Sequence, residues 1–244
     1  MGVMDAAGHG ILIAVEGIDG AGKTTLVGKL RDVLSAAGET VVNSKEPTDG
    51  KWGKMIRESA QSGRLRPVEE LRAFVEDRRE HVAHKIRPAL DRGDIVILDR
   101  YFYSTIAYQG ARENNVQSLC NEMRDEFPIP DAVLLLDAPP AITLHRVCGR
   151  GDIPNEFERL EALESVRSIF TRMANVLSEI HVVDARRGID DVFQDAAHIL
   201  LETALKKRCA KSYGCDIFYC SYRENGECRW ANLYRDLRAP VVVS

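Results

Sequence analysis

The sequence predicts an α/β protein in which a parallel five-stranded sheet is covered by helices on both faces. Short unbroken apolar runs recur along the 244 residues, as in strands buried on both sides of a parallel sheet. Segments with helical periodicity separate these runs, and this alternation implies right-handed crossover connections. With 45% hydrophobic and 29% charged residues, the chain can bury a substantial core.

Five apolar runs predict the strands. The first run is followed directly by a glycine-rich turn, and the third is followed by an Asp-Arg pair. Parallel strands bring their carboxyl ends to one edge of the sheet, so we expect the polar residues after these two runs to lie close together. The runs are 11–15, 41–42, 95–98, 132–136 and 181–183.

Periodic apolar positions predict the helices. The first helix has an apolar stripe from Leu26 to Leu34 and ends near Gly38. Pro67 begins a long helix that extends to Ala89. We expect its His81 and His84 to lie on a solvated face, because their spacing is not that of a zinc-binding pair. Further helices are predicted at 140–147, 158–179 and about 192–200.

The composition changes near the end of the chain. We therefore divide it into a main domain at 11–205 and a cysteine-containing C-terminal extension of unknown role at 208–244. The extension region lacks a C-x-x-C knuckle, so zinc is possible there, but free thiols are favoured. Its cysteines are Cys209, Cys215, Cys220 and Cys228.

Charge and hydropathy exclude two classes of partner. A net charge of −4 argues against a surface for duplex nucleic acid, since such binding depends on Lys and Arg. No apolar run approaches the roughly 20 residues needed to cross a bilayer. The first residues also lack the pattern of a secretion signal. We therefore expect a cytoplasmic protein with neither nucleic-acid nor membrane partners.

The turn after the first strand has the spacing G-x-x-x-x-G-K-[ST], from Gly17 to Thr24. Such a P-loop points successive backbone N–H groups at phosphate oxygens, and the helix N-terminus adds partial positive charge. Lys23 is predicted to reach the β- and γ-phosphates of ATP, and Thr24 to bind Mg²⁺. The predicted ATP-binding residues are Gly17, Asp19, Gly20, Ala21, Gly22, Lys23, Thr24 and Thr25.

Asp99 and Arg100 follow the strand at 95–98. The carboxylate can act on Mg²⁺ or its waters, and the guanidinium can hold a phosphate through two hydrogen bonds. A P-loop does not reveal which molecule receives the phosphate, so the acceptor has to be inferred from other motifs.

Several motifs in register resemble those of the thymidylate kinase family. The resemblance covers roughly residues 11–205 and implies a P-loop kinase that transfers the γ-phosphate of ATP to dTMP, as a homodimer. The motifs are Glu16-Gly-Ile-Asp-Gly-Ala-Gly-Lys-Thr-Thr25, Glu46-Pro47, Phe74-Val-Glu-Asp-Arg78, Asp99-Arg-Tyr101, Ser104-Thr105, Ala107-Tyr-Gln-Gly110 and Pro130-Asp-Ala-Val-Leu-Leu-Leu-Asp137.

The resemblance also implies roles for individual residues. Phe74 would stack on thymine, and Arg78, four residues later on the same helical face, would donate a hydrogen bond to a base carbonyl. Arg100 would hold the acceptor phosphate, assisted by Lys45 beside Glu46, where the family usually has arginine.

The remaining implied contacts concern the sugar, the metal and the base. Asp19 would approach the sugar 3′-OH or the metal. Tyr108 would crowd out a ribose 2′-OH and so select deoxynucleotides. Ser104, Thr105 and Gln109 match the motifs that line the sugar and base pocket.

The catalytic arginines are expected in a lid. One branch of the family places an arginine in the P-loop, at the position of Gly20 here. The resemblance is therefore to the other branch, with Arg146 and Arg150 as the lid arginines that stabilise charge on the transferred phosphoryl group.

Two departures from the family pattern leave alternatives open. The family's glycine pair after Glu46-Pro47 is replaced by the sequence 48–53, which would permit dUMP or another nucleoside monophosphate as acceptor. Asn155-Glu156 stand where a further lid arginine is common. A nucleotide-binding regulatory protein with a weakened lid is thus the third hypothesis.

Overall fold

The structure is a computed structural model that describes residues 10–113, 115–149 and 160–209, with side chains of the last helix described to residue 203. Two short antiparallel strands, Arg223–Glu224 and Glu227–Cys228, are also described. Arg150, Asn155-Glu156 and the remainder of the predicted extension lie outside the described residues, as does any metal content of its cysteines.

The main sheet has five parallel strands in the order β2-β3-β1-β4-β5. This confirms the predicted five-stranded parallel sheet. Each predicted apolar run lies within a strand or overlaps one. The strands are β1 Ile11–Glu16, β2 Val41–Lys45, β3 Ile95–Asp99, β4 Ala132–Asp137 and β5 Ile180–Asp184, and the short pair forms β6 and β7.

Helices connect the strands. The long helix predicted from Pro67 begins there and continues through a π-helical turn, Val82–Ile86, into a further short helix. The helices are α1 Lys23–Ala36, α2 Lys51–Ser62, α3 Pro67–His81, α4 Arg87–Asp91, α5 Phe102–Glu113, α6 Val116–Glu126, α7 Pro140–Gly149, α8 Leu160–Ala174 and α9 Ile189–Cys209. Among the described residues no helix has the length and apolar character to span a membrane.

Several predicted helix boundaries differ from the structure, and the end of one helix shows why. The helix expected over 158–179 ends at Ala174, because the chain turns there to enter β5. In this turn the N–H of Leu177 donates to the carbonyl of Met173, and the N–H of Ile180 donates to the carbonyl of Leu177. Apolar side chains continue through the turn, so periodicity alone did not reveal the end of the helix.

The two faces of the sheet carry separate cores. Along β1, Leu12 and Ala14 pack with α5, α6 and α8, whereas Ile11, Ile13 and Val15 pack with α1 and α9. All six residues of β1 are buried. Each large apolar side chain buried in this way contributes about 1.5–3 kcal/mol. The sheet is therefore a rigid frame for the loops at its carboxyl edge.

That edge gathers the polar strand ends. Val15 is in register with Asp99, and Lys45 is also in register with Asp99 on the other side. The loops that follow β1, β2 and β3 consequently meet in one place, which is where ligands bind in open α/β sheets.

The loop after β2, which departs from the family pattern, is ordered by α3. The backbone N–H and the hydroxyl of Thr48 both donate to Asp77, over 2.7 and 2.6 Å. The chain then enters α2, whose Gly53 lies against the same loop: a Cβ on Gly53 would be 1.9 Å from the Thr48 carbonyl oxygen. Close packing of two backbones explains why glycine stands at this position.

Gly53→Ala is expected to lower the free energy of unfolding by about 3 kcal/mol, because the clash is with backbone and cannot be relieved by a side-chain rotation. Urea unfolding followed by circular dichroism measures this change. Gly28→Ala is the matched control, since a Cβ there meets nothing within 4 Å in the interior of α1. Equal unfolding free energies for the Gly53 variant and the unsubstituted protein would contradict the packing argument.

Candidate active site

The P-loop connects β1 to α1 at the carboxyl edge of the sheet. Lys23 is the first residue of α1, and its ammonium group donates to the carbonyl of Ile18 over 3.0 Å. Burial and the neighbouring Arg100 lower the pKa of Lys23 to about 8, against the attraction of Asp19 and Asp99. The lysine thus places a desolvated cation inside the loop.

Gly20 has no room for a side chain. Its φ is +82°, and a Cβ there would lie 2.2 Å from the carbonyl oxygen of Thr143 in α7. An arginine at position 20 would therefore require α7 to move. Any catalytic arginine has to approach the phosphates from another segment of this chain.

Two of the predicted metal residues are adjacent and the third is paired elsewhere. The hydroxyl of Thr24 donates to a carboxylate oxygen of Asp99 over 2.5 Å. A hydroxyl and a carboxylate are oxygen ligands of the kind that Mg²⁺ binds together with phosphates and waters, so this pair fits the ion. Asp19 instead contacts Arg100. Within the described part of the chain, no group of three His, Cys, Asp or Glu side chains is arranged to hold a metal.

Arg100 joins the P-loop to α5. One terminal nitrogen donates to the carbonyl of Gly17 over 3.1 Å and to Ser104 over 2.9 Å, and the other donates to Asp19 over 2.5 Å. Burial would raise the pKa of Asp19, but Arg100 and Lys23 outweigh it and hold that pKa below its usual range. Asp19 also accepts a hydrogen bond of 2.9 Å from Tyr108.

Glu16, the last residue of β1, helps to fix the position of Arg100 through Ser104. It is fully buried and accepts hydrogen bonds from the backbone of Tyr101 over 2.7 Å and from the hydroxyl of Ser104 over 2.6 Å. Burial raises the pKa of Glu16 to about 6 even though Arg100 and Ser104 favour the carboxylate. The carboxylate orients Ser104, which in turn orients Arg100.

The raised pKa makes Glu16 a source of pH-dependent stability. Because the folded pKa of about 6 exceeds the ordinary value of 4.5, the charged form is disfavoured by folding. The contribution of Glu16 to stability therefore falls by about 2 kcal/mol in total as pH rises from well below 4.5 to well above 6, and it stays constant beyond that range.

Glu16→Gln cannot titrate and isolates this effect. Relative to this variant, the unsubstituted protein should lose about 2 kcal/mol of unfolding free energy as pH rises from about 3.5 to about 7. Denaturant titrations at several pH values measure it. A difference that is independent of pH would show that Glu16 does not titrate in this range.

A cavity of about 310 Å³ opens beside Arg100. It is large enough for a small ligand, and it is bounded by α2, α3, α5 and the loop after β2. The contribution of α2 was not predicted from the sequence. The lining residues are Asp19, Glu46, Pro47, Ile56, Arg57, Ala60, Phe74, Arg78, Arg100, Tyr101, Ser104, Thr105 and Tyr108.

Arg78 forms one wall of the cavity and is 1% exposed. Its Nε donates to Glu46 over 2.8 Å, and one terminal nitrogen donates to the hydroxyl of Thr105 over 3.0 Å. The other terminal nitrogen faces the sulfur of Met123 at 3.5 Å, which is a weak acceptor. Phe74 lies one turn earlier on α3 and also lines the cavity.

His81 does not lie on a solvated helix face as predicted, whereas His84 is exposed. His81 is 5% exposed, and its ring nitrogens are 2.9 Å from Glu46 and 2.9 Å from the hydroxyl of Ser44. Ser44 in β2 and Glu46 just after it are the polar partners that allow His81 to be buried. The hydrophobic periodicity of α3 could not reveal these partners, because they lie in another part of the chain. Glu46 is thus held from two sides, by His81 and by Arg78.

Two predicted binding residues do not line this cavity. Lys45 is 59% exposed at its side chain and lies 3.3 Å from Asp49. Gln109 is buried one helical turn after Thr105. In contrast, Arg57 lines the cavity without having been predicted, and it donates to the carbonyl of Pro47 over 3.0 Å. An isolated arginine in an unrecognised helix offered no signal.

A second cavity, of about 570 Å³, lies on the other side of the P-loop. Gly22 and Thr25 line it together with Arg146 from α7. Arg187 and Gly188, in the loop after β5, also line this cavity. This loop was not predicted to be part of a site. The P-loop therefore lies between two cavities, as transfer between two bound ligands requires.

The sheet order, the P-loop and the paired cavities define a P-loop kinase fold, the class of proteins that transfer phosphoryl groups from a nucleotide. The chain belongs to the thymidylate kinase family, whose model matches residues 15–196.

Curated relatives agree with this assignment. A thymidylate kinase of Xanthomonas euvesicatoria pv. vesicatoria (strain 85-10) is 52% identical over 200 residues, covering 82% of this chain and 86% of the relative. One from Xanthomonas campestris pv. campestris (strain B100) is 50% identical, covering 82% and 86%. One from Xylella fastidiosa (strain M12) is 48% identical, covering 79% and 88%.

Proposed function

We propose that this chain transfers the γ-phosphate of ATP to dTMP, giving ADP and dTDP, and that residues 11–205 carry the reaction. The observation that carries the proposal is the pair of cavities beside the P-loop, one lined by Asp19 and Arg100 and the other by Gly20 and Gly22. Relatives about 50% identical are named thymidylate kinase, which supports dTMP as the acceptor.

The donor nucleotide would be held by the P-loop and the larger cavity. Backbone N–H groups from Gly17 to Thr25 would cradle the phosphates, and Lys23 would contact the β- and γ-phosphates. Thr24 and Asp99 would bind Mg²⁺, which neutralises phosphate charge when present. Arg146 lines the same cavity and would stabilise the transferred group, as would Arg150, outside the described residues.

The acceptor base would enter between Phe74 and the walls formed by Arg78 and Thr105. The aromatic ring offers a stacking surface. Arg78 lines the cavity, and one of its terminal nitrogens has only the weakly accepting sulfur of Met123 as a partner, so the guanidinium can donate to a base carbonyl. A carbonyl at ring position 4 satisfies this donor, whereas the amine of cytosine does not.

The acceptor phosphate and sugar would occupy the part of the cavity nearest the P-loop. Arg100 would hold the phosphate, Arg57 is placed to assist, and Glu46 would complete the wall, whereas Lys45 lies outside the lining. Asp19 and Tyr108, joined by a hydrogen bond of 2.9 Å, would lie against the sugar and leave no room for a ribose 2′-OH. Ser104 would act by orienting Arg100.

This arrangement brings two anions together without a covalent intermediate. Its catalytic effect would come from positioning and from cations that cancel the repulsion between phosphates. A homodimer in the cytoplasm is part of the proposal, and light scattering on the purified chain tests the dimer.

An ADP-release assay over a panel of acceptors tests the proposal. The panel contains dTMP, dUMP, dCMP and the ribonucleotide analogue of dTMP. We expect the highest kcat/KM with dTMP, and at least a tenfold loss with the ribonucleotide, whose extra hydroxyl would meet Tyr108. A preference for dUMP would favour the second hypothesis, and nucleotide binding without turnover on any acceptor would favour a regulatory role.

A further inference from the structure

The side-chain amide of Gln109 has one satisfied end and one free end. Gln109 is 1% exposed, and its nitrogen donates to Glu70 over 2.8 Å. Its carbonyl oxygen is buried and has no hydrogen-bond partner among the described residues. Because a carboxylate only accepts hydrogen bonds, the nitrogen must face Glu70 and the oxygen must point the other way.

Glu70 is itself rigidly held. It is fully buried, and Arg64 donates to both of its oxygens, over 2.9 and 3.1 Å. Arg112 donates to it over 2.5 Å. Two guanidinium groups donate to Glu70, so its oxygens serve as acceptors on this side of Gln109.

The free oxygen belongs to the helix face that borders the acceptor cavity. Thr105 lines the cavity, and Gln109 follows it by one helical turn on α5. A buried carbonyl oxygen without a donor is costly in the free protein, and a ligand that supplies an N–H removes the cost. Thymine carries an N–H at ring position 3, where cytosine carries an acceptor.

We infer that Glu70 is a positioning residue for base specificity: by binding the Gln109 amide nitrogen, it keeps the amide oxygen free for a base that donates from ring position 3. The inference rests on the proposed function and deepens it. Glu70 does not contact the base in this scheme and acts through Gln109.

Glu70→Leu is expected to release the Gln109 amide. Gln109 and Arg112 donate to the same oxygen of Glu70, so only a side chain without an acceptor removes the bond to Gln109. The Gln109 amide can then turn its nitrogen toward the base. We expect the ratio of kcat/KM for dTMP to that for dCMP to fall by about tenfold or more. The ratio is independent of the fraction of protein that folds, since both rates come from the same active molecules.

Arg64→Gln is the matched control, because it removes a donor to the same carboxylate and leaves the bond between Glu70 and Gln109 in place. It should change the ratio less than twofold. In a Gln109→Leu background, Glu70→Leu should have no further effect on the ratio.

Three results would overturn the inference: an unchanged ratio in the Glu70 variant, an equal fall in the Arg64 variant, or a full effect of Glu70→Leu in the absence of Gln109. An unsubstituted protein that fails to phosphorylate dTMP would instead refute the proposed function on which the inference depends. The acceptor assay of the unsubstituted protein distinguishes the two failures.

Discussion

Lys23→Met is expected to lower kcat for phosphoryl transfer by at least about a thousandfold. The substitution retains the aliphatic volume of a side chain that is 7% exposed and removes its charge. In the P-loop this ammonium lies within a desolvated pocket, as its lowered pKa indicates, so no solvent cation replaces it. Without it, the charge that develops between donor and acceptor phosphates is not neutralised. Steady-state ADP release at saturating dTMP measures the loss.

Lys23→Arg is the companion variant, because it keeps the charge and changes the geometry of the donor. It should retain more activity than the methionine variant. Thermal unfolding of both variants shows whether the fold is retained. A methionine variant with more than a tenth of the original kcat would refute the role assigned to Lys23.

Arg100→Met is expected to raise the KM for dTMP by about a hundredfold while changing the KM for ATP less than threefold. Arg100 lines the acceptor cavity and not the cavity beside Thr25. The guanidinium of Arg100 also donates hydrogen bonds to Asp19, to the carbonyl of Gly17 and to Ser104. The substitution therefore removes both the phosphate ligand and the organisation of the cavity wall.

Arg100→Lys separates these two contributions. A lysine can attract the phosphate but cannot bridge Asp19 and Ser104 at once, so an intermediate KM for dTMP is expected. The kinetics are measured with each substrate varied at saturation of the other. Equal changes in both Michaelis constants would show that Arg100 does not distinguish acceptor from donor.

The regular parts of the fold could be predicted because their signals are local. β1, β3 and β4 are apolar up to the acidic residue at the end of each strand, since both of their faces are buried. The P-loop motif stands between a strand and a helix in the sequence as in the structure. In contrast, α5 is buried around much of its circumference, with buried residues from Phe102 to Gly110, so it lacks the polar stripe that marks a helix.

The site was predictable only where a family motif marked it. Phe74, Arg78, Arg100, Thr105 and Tyr108 were expected in one pocket, and the structure places all of them around one cavity. Their roles toward a base, sugar and phosphate stay predictions until the variants are assayed. Arg57 was not expected, because nothing in its local sequence distinguishes it from any other helical arginine.

The strands, the phosphate loop and the resemblance to one kinase family follow from residues that are near one another in the chain, because backbone conformation and hydrophobic periodicity are short-range properties. The pairing of Glu70 with Gln109, the burial of His81 against Glu46 and the clamp between Thr48 and Asp77 join residues that lie at least 29 positions apart. Only the folded chain decides such pairs, since each depends on which helix faces are packed together and on which charges are removed from water.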